Sequence, residues 1–397
     1  MKILFVTMSF PEKRANGADT ATDNYVSAMR KAGSDVDVVA YSRDGASPNN
    51  PHSISAGHWN IEIETAGKTE IGGWLLRSFV SGRPFINSKF VSRQMIETLR
   101  RCVARKAYDL LAINQTHMAW VADLDFLPKK TLFIPHNLES KLYGDMAGFT
   151  GAGNLVKRSL YARDSRLLTG VEGRLARGAA QVWTLSESDQ AGFARLAPEA
   201  DIRNFDLPGR ALPPVFGAPV KSRDVGILGA WLWEVNRNGL RWLVDAVMPD
   251  IPADITVHVA GKGAETVPHA FGNLRYEGFV EDAASFLRSC RVLLIPTVSG
   301  GGVQLKTIEG ISSGVPIVAT HLGLRGMTNI PDHVVAADDP QGFAAAIVHL
   351  VRADAPSRYE VGQKWANDRR ATFEQRVADA IDALGSGLPR TVSTDAA

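Results

Sequence analysis

Two kinds of segment follow one another along this chain: short β-branched or apolar runs, and longer stretches in which apolar residues recur with helical spacing. In the first half, the short runs are strand candidates at residues 3–6, 36–40, 110–113, 131–134 and 181–185. Helical stretches separate these runs, which is typical of a parallel sheet covered by helices. The pattern therefore predicts an α/β fold.

The same rhythm restarts further along, with strand candidates at residues 225–229, 255–263, 274–278, 292–296, 316–320 and 333–336. The residues before it, 207–219, are rich in proline and glycine and predict a linker. We expect a Rossmann-like domain at 1–210, a linker at 211–220, a second Rossmann-like domain at 221–384 and a flexible tail at 385–397. Since ligands bind outside the carboxyl ends of parallel strands, two such domains facing each other would form a cleft.

Composition narrows the class of protein. The chain has 397 residues, 45% hydrophobic and 22% charged, which is typical of a globular protein. It contains no apolar run of the ~20 residues that a membrane span needs, and no secretory cleavage site follows its first strand. The two cysteines, Cys102 and Cys290, are far apart and predict neither a disulfide framework nor a cysteine metal site. We expect a cytoplasmic protein.

Positive charge is concentrated between positions 77 and 106, where eight basic residues accompany one acid, Glu97. The basic residues are Arg77, Arg83, Lys89, Arg93, Arg100, Arg101, Arg105 and Lys106. A helix predicted over 88–106 has an apolar stripe at Val91, Met95, Leu99 and Val103. Such a helix can rest on anionic lipid, which would place the protein at the inner face of the membrane. The alternative is a surface helix that packs its stripe on its own domain.

The richest stretch in candidate chemistry is residues 296–320, where a buried strand ends and Gly300, Gly301 and Gly302 follow. A helix predicted to begin near Val303 would point its amides back at these glycines, which suits the diphosphate of a nucleotide sugar. Lys306 and Glu309 lie three residues apart on that helix, so an ammonium can meet phosphate while a carboxylate accepts from two ribose hydroxyls. A flexible turn with a solvated ion pair is the alternative, and the length of the pattern favours the ligand site.

Residues 299–320, together with 273–280 and 259–263, resemble the donor-binding half of the retaining glycosyltransferases of family four, which have the GT-B fold. The segments Pro135-His-Asn-Leu-Glu-Ser and Leu185-Ser-Glu-Ser-Asp resemble the acceptor domain of the same enzymes, especially bacterial polysaccharide-assembly members. The resemblance implies that residues 1–210 serve the acceptor and residues 221–384 bind the nucleotide sugar. It also implies a sugar-nucleotide-dependent transferase.

The resemblance assigns roles to single residues. Glu309 would bind the ribose, and Gly278, Phe279 and Val280 would hold the base through backbone contacts. Gly17 would belong to a loop that meets the transferred sugar, and His117 would be the cleft histidine that contacts it. His136, Asn137 and Glu139 are candidates on the acceptor side. The remaining donor-site candidates are Ser299, Gly300, Gly301, Gly302 and Val303.

The chain departs from the family pattern at two places. The first acid of the family's Glu-x7-Glu motif falls on Gly301, and the basic pair after the first strand of the second domain is reduced to Arg237 between Asn236 and Asn238. Lys306 and Arg237 are the candidates to neutralise the leaving diphosphate, and with His117 they form the predicted catalytic set. Asp123-Leu-Asp125 mimics a metal-binding pair away from the glycines, and we assign no metal.

The sequence thus predicts transfer of a sugar from a nucleotide diphosphate sugar to an acceptor hydroxyl, without a cofactor or metal. By resemblance the stereochemistry would be retained, with the departing phosphate taking the acceptor proton. The expected partners are the nucleotide sugar and a saccharide or lipid-linked acceptor, with an anionic membrane as a further contact and no nucleic acid. A sugar-nucleotide epimerase on the same fold and a two-lobed solute-binding protein are the alternatives. The donor sugar, base, acceptor, linkage and oligomeric state stay open.

Overall fold

The structure, a computed structural model, describes residues 1–11, 17–43, 50–61, 66–149, 154–213, 219–300 and 302–386. The chain divides into two compact units. Unit 1 comprises Met1–Phe205 and Phe373–Ala397, and unit 2 comprises Asp206–Thr372.

Unit 1 contains one parallel sheet of seven strands in the order β3-β2-β1-β4-β5-β6-β7. The strands are β1 (Lys2–Ser9), β2 (Asp35–Ser42), β3 (Ser53–His58), β4 (Leu110–Asn114), β5 (Thr131–Ile134), β6 (Gln181–Thr184) and β7 (Ile202–Asn204). The helices are α1 (Gly17–Lys31), α2 (Lys68–Ser81), α3 (Phe85–Phe90), α4 (Arg93–Arg105), α5 (Glu139–Phe149), α6 (Leu155–Gly178) and α7 (Glu187–Leu196), with a 3-10 helix at Thr116–Asp123. The central strands are buried on both faces, which explains their unbroken apolar runs.

Unit 2 contains a parallel sheet of six strands in the order β10-β9-β8-β11-β12-β13. The strands are β8 (Arg223–Leu228), β9 (Val257–Ala260), β10 (Leu274–Gly278), β11 (Cys290–Ile295), β12 (Ile317–Ala319) and β13 (Val334–Ala336). The helices are α8 (Glu234–Trp242), α9 (Ala283–Ser289), α10 (Leu305–Ser312) and α11 (Pro340–Arg352). A last helix, α12 (Tyr359–Ser386), begins in unit 2 and ends in unit 1.

The predicted strands are all present, and two further strands, β3 and β7, were not predicted. The predicted helix over 88–106 is wrong in its first turn. Ser88 belongs to α3, and α4 begins only after Ser92, whose side chain accepts a hydrogen bond from the Met95 amide and caps the helix. Helix α8 continues directly into one π-helical turn at Leu243–Val247.

The units also differ from the predicted domain ranges, because side chains of α12 hold residues 207–209 inside unit 2. The Arg369 guanidinium donates to the Leu207 carbonyl at 2.7 Å, and that of Arg370 donates to the Gly209 carbonyl at 3.0 Å. Phe373 instead packs on Tyr25 of unit 1, with ring centroids 5.2 Å apart. Much of the predicted linker, 214–218, and the tail from 387 lie outside the described residues.

Candidate functional site

Both sheets reverse strand order beside their first strand, between β1 and β4 in unit 1 and between β8 and β11 in unit 2. Loops that follow the two strands at such a reversal form a crevice where ligands of parallel α/β sheets bind. In unit 2, the chain after β8 leads into α8, and the chain after β11 forms the predicted glycine loop. The topology therefore brings α8 and the loop residues Ser299, Gly300 and Gly302 to the carboxyl end of the strands.

Two glycines of the glycine loop have left-handed backbone conformations. Gly300 has φ 98° and Gly302 has φ 76°, and a Cβ on Gly300 would lie 2.6 Å from a Val235 methyl at the start of α8. Gly301 lies outside the described residues. The next helix, α10, begins at Leu305 rather than near Val303, and no side chain caps its first amides. These amides keep their capacity to bind an anion.

Lys306 lies in the first turn of α10. Its ammonium donates to the Asn236 side-chain oxygen at 3.0 Å and lies 5.8 Å from the centre of the Trp231 ring. Burial lowers the pKa of Lys306 to about 8. Among the described residues, Asn236 is the one hydrogen-bond acceptor of this ammonium, so most of its hydrogen-bonding capacity remains for a ligand.

Glu309 lies one turn further along α10, and its side chain is largely buried. Burial raises the pKa of its carboxyl, while the charge of Arg210 acts in the opposite direction. The Arg210 guanidinium nitrogen lies 3.8 Å from the carboxylate, which is an ion pair but too long for a hydrogen bond. The carboxylate therefore keeps its lone pairs for hydroxyl donors.

Arg237 forms an ion pair within its own helix, a contact that the sequence analysis did not predict. Its guanidinium donates to Glu234 on the same helix, and Arg241 pairs with the same carboxylate at 2.9 Å. The charge of Arg237 is thus already matched within α8, and its role toward a diphosphate stays a prediction. The neighbouring Asn238 donates to the Ser299 hydroxyl at 3.4 Å, which ties α8 to the glycine loop.

The predicted base-binding residues end strand β10. Gly278 has φ 68°, and its carbonyl accepts from the Gly261 amide at 2.6 Å. The Phe279 ring is exposed, with the Lys262 ammonium 5.1 Å from its centre, and Val280 is partly buried. An exposed ring beside a cation could stack on a base as well as offer its backbone.

In unit 1, the candidates Gly17, His117 and His136 follow β1, β4 and β5, which are neighbours in the sheet. Gly17 is exposed as the first residue of α1, and the loop before it, 12–16, lies outside the described residues. Between β4 and the 3-10 helix, Gln115 has φ 71°, a strained conformation for a residue with a side chain. Strain of this kind is concentrated at functional sites.

Both histidines are neutral at pH 7. Burial lowers the pKa of His117 to about 4, aided by the charge of Lys89, and burial lowers that of His136 to about 3. The His136 ring nitrogens lie 3.0 Å from the Asn114 oxygen and 3.3 Å from the Gln115 amide nitrogen. His117 Nδ1 has no hydrogen-bond partner among the described residues. His117 therefore has more capacity for a ligand than His136.

Glu139 is buried at the start of α5, where Asn137 donates to it at 3.3 Å. Glu172 of α6 accepts from the amides of Glu139 and Ser140 at 2.8 and 3.1 Å and from the Thr116 hydroxyl at 3.2 Å. Burial raises the pKa of each carboxyl to about 7. We place the proton on Glu139, because Glu172 accepts three hydrogen bonds that stabilise its charge. The contacts of Glu139 hold the loop after β5 in place, and its contact with an acceptor stays a prediction.

No metal was expected, and that stays a prediction. Asp123 pairs with Arg83 at 3.0 Å. Among the described residues one group, Asp35, Asp37 and His52, has the spacing of metal ligands. The Lys106 ammonium already lies 2.8 and 2.7 Å from the two carboxylates, which makes this group an ion-pair cluster.

Several residues at these sites were not found from the sequence. Asn236 was noted only as a replacement for a basic residue, whereas the structure makes it the partner of Lys306. Arg210, Glu172 and Gln115 carried no local signal, because each contacts its site residue across a long stretch of sequence: Glu309, Glu139 and His136, respectively.

Known proteins resemble this chain both in the sequence of unit 2 and in the fold. The fold is that of a two-unit α/β protein, and residues 222–353, which lie in unit 2, match the family model "Glycosyl transferases group 1". Unit 2 therefore carries a glycosyltransferase group 1 domain. Over 155 residues the chain is 30% identical to the phosphatidyl-myo-inositol mannosyltransferase of Mycobacterium leprae (strain TN). That match covers 36% of this chain and 41% of the relative, less than half of its length.

Solved structures share the fold over nearly the whole chain. Sucrose-phosphate synthase from Thermosynechococcus elongatus has a TM-score of 0.63 at 18% identity, covering 98% of both chains. HepE from Anabaena, in complex with UDP-glucose, has a TM-score of 0.61 at 13% identity, covering 96% of this chain and 100% of HepE. The structural neighbours are GT-B glycosyltransferases, which confirms the predicted fold class.

Proposed function

We propose that this protein transfers a sugar from a nucleotide diphosphate sugar to an acceptor hydroxyl, as a retaining glycosyltransferase of the family-four type. The observation that carries the proposal is the edge of the unit 2 sheet, where a glycine loop, uncapped helix amides, Lys306 and Glu309 lie within the stretch that matches the family model. An epimerase would use the same nucleotide site, so the proposal for transfer rests on the glycosyltransferase group 1 domain.

The proposed transfer depends on stabilising the negative charge of the leaving diphosphate. As the sugar leaves, negative charge develops on the diphosphate, and the Lys306 ammonium and the amides of α10 stabilise it. Glu309 holds the ribose through its free carboxylate lone pairs. We propose that no metal is needed, because a buried ammonium and a helix N-terminus supply the positive potential at this site.

Retention and the acceptor rest on the family resemblance. With the departing phosphate as the base for the acceptor proton, no side chain of unit 1 has to change its charge, which suits the neutral His117 and His136. A saccharide or lipid-linked acceptor in bacterial polysaccharide or glycoconjugate assembly is the proposed partner. The relative from Mycobacterium leprae is named for mannosyl transfer to a phosphatidyl-inositol, which supports a lipid-linked acceptor.

The first experiment measures the melting temperature with a panel of nucleoside diphosphates and their sugars. A ligand at 100 times its dissociation constant stabilises a protein by about 2.7 kcal/mol, which gives a readily measured shift. We expect one base to stabilise the protein, and its sugar nucleotide to yield free nucleoside diphosphate when an acceptor is added. Failure of every nucleotide to raise the melting temperature would contradict the proposal, and an epimerised donor without transfer would favour the alternative.

We also propose contact with an anionic membrane, such as the cytoplasmic face of a bacterial membrane, but through a different helix from the one predicted. The apolar stripe of α4 packs inside unit 1, where Met95 and Leu99 are fully buried. Helix α2 instead exposes Leu76, Phe79 and Val80, at 66%, 55% and 81%. Apolar side chains on a helix with basic neighbours suit a lipid surface. Among the described residues, no helix has the length and hydropathy to cross a membrane.

Vesicle sedimentation tests this contact. The protein should sediment with phosphatidylglycerol vesicles and less with phosphatidylcholine vesicles, and salt should release it. Leu76→Ser with Val80→Ser should reduce binding, whereas Val220→Ser, at an equally exposed apolar residue of unit 2, should not. Equal recovery with both vesicle types would contradict the proposal.

A further inference from the structure

The segment after β12, residues 320–326, is fastened to the elements that carry the glycine loop. The Thr320 hydroxyl donates to the Thr297 carbonyl at 2.6 Å, and the Thr307 hydroxyl of α10 donates to the Gly323 carbonyl at 2.8 Å. Gly326 has φ 73°, and a Cβ there would lie 2.7 Å from a Val303 methyl. This segment is thus in direct contact with the chain between the loop and α10.

Arg325 extends from this segment to the glycine loop itself. Its Nη1 donates to the Gly300 carbonyl at 3.1 Å, and its Nε and Nη2 donate to the Gly302 carbonyl at 3.2 and 2.7 Å. One guanidinium therefore joins two carbonyls on either side of Gly301. The planar fork of arginine can do this, whereas an ammonium is a point donor.

These contacts fix the direction of an amide. In a trans peptide the carbonyl and the N–H of the next residue point in opposite directions. Because the Gly302 carbonyl is held by Arg325, the Val303 N–H points away from Arg325. The uncapped amides of α10 begin two residues later. The guanidinium also adds positive charge behind the loop.

We propose that Arg325 is a positioning residue for the donor diphosphate. It fixes the carbonyls of Gly300 and Gly302, so that the Val303 amide and the first amides of α10 are ready to bind phosphate oxygens before the ligand arrives. A preorganised loop avoids an ordering cost on binding. The role rests on the proposed function, since it needs a nucleoside diphosphate as the ligand.

Two measurements test the role, with UDP as the probe because a structural neighbour binds UDP-glucose. Hydrogen exchange of the peptide covering 298–306, without nucleotide, should be faster in Arg325→Met than in the parent protein. Calorimetry should show that Arg325→Met weakens UDP about tenfold, as expected for charge-assisted hydrogen bonds, and weakens uridine less than twofold. Arg325→Lys keeps the charge and should recover only a small part of the loss.

The matched control is Arg352→Met, which removes an exposed arginine of unit 2 paired with Asp254 at 2.7 Å. It should change neither exchange at 298–306 nor UDP affinity. Unchanged exchange in Arg325→Met, or equal losses for UDP and uridine, would overturn the positioning role. Faster exchange in the variant, with a parent protein that binds no nucleoside diphosphate, would support the loop contact and overturn the proposed function.

Discussion

The polar groups at the carboxyl end of the unit 1 sheet have more hydrogen-bond partners than the polar groups at the carboxyl end of the unit 2 sheet. In unit 1, Glu172 accepts three hydrogen bonds and His136 has two partners. In unit 2, Lys306 donates one hydrogen bond, and Glu309 has an ion pair at 3.8 Å. Burial shifts the pKa of groups in both places.

A shifted pKa therefore does not by itself distinguish a binding residue from a structural one. The distinction lies in unused hydrogen-bonding capacity, because a buried polar group without partners is costly unless a ligand supplies them. By that measure Lys306 and Glu309 are the stronger ligand candidates, and Glu139 and Glu172 hold the loop after β5 in place.

The largest effect is expected from Lys306→Ala. Removal of the ammonium takes away a donor to the developing negative charge, so turnover should fall by roughly 10²-fold or more. The readout is the initial rate of nucleoside diphosphate release with the active donor and acceptor. Lys364→Ala, at an exposed lysine paired with Asp368, is the control and should keep the parent rate. Normal turnover in Lys306→Ala would remove this lysine from the site.

The next prediction concerns the buried carboxyls of unit 1. The pKa of Glu139 lies at about 7 in the folded protein, above its usual value of 4.5. The folded state thus keeps a proton that the unfolded state releases, and stability is lost as pH rises from about 4.5 to 7. Glu139→Gln should remove this loss and stabilise the protein at pH 8 by about 1–3 kcal/mol relative to the parent.

Urea denaturation at pH 5 and pH 8 measures this effect. The urea midpoint of the parent protein should be lower at pH 8 than at pH 5, and the midpoint of Glu139→Gln should change less between these two pH values. Glu187→Gln, at an exposed glutamate of α7, should follow the parent. Parallel curves for parent and Glu139→Gln would show that Glu139 is ionised throughout and that its setting is not the one described.

Much of the fold follows from the sequence, and the exceptions share a physical cause. Central strands such as β1 and β4 are buried on both faces and must be apolar, so their runs stand out. The missed strands, β3 and β7, lie at the two edges of the unit 1 sheet. Edge strands pair on one side only and need no continuous apolar run, and β7 has only three partly exposed residues.

The candidate site divides in a similar way. The glycines, Lys306 and Glu309 were predicted because their chemistry lies in one local segment. Asn236 is 70 residues from Lys306, and Arg210 is about a hundred from Glu309, so no local spacing could reveal either contact. The start of α10 was predicted too early because Gln304 has an extended conformation that local propensity does not show.

A smaller but more specific effect is expected from Glu309→Ala. A carboxylate that accepts from ribose hydroxyls contributes about 1.5–3 kcal/mol per hydrogen bond to a charged group. The variant should bind the nucleoside diphosphate at least roughly tenfold more weakly. The penalty should shrink for the dideoxy ligand that lacks both hydroxyls. Equal penalties for the two ligands would show that Glu309 does not bind the ribose, and Glu265→Ala serves as the exposed control.

The smallest effect is expected from pH. The pKa of Lys306 in the ligand-free protein is about 8, so its ammonium loses its proton as pH rises from 7.5 to 9. A nucleoside diphosphate is fully ionised over this range, because its last phosphate pKa lies near 6. Binding requires the positive charge, so affinity should fall with rising pH, by roughly three- to tenfold. Lys306→Arg keeps its charge throughout, and its affinity should be flat over the same range. If parent and Lys306→Arg show the same pH dependence of the dissociation constant, another group titrates, and the buried ammonium is not the one that meets the diphosphate.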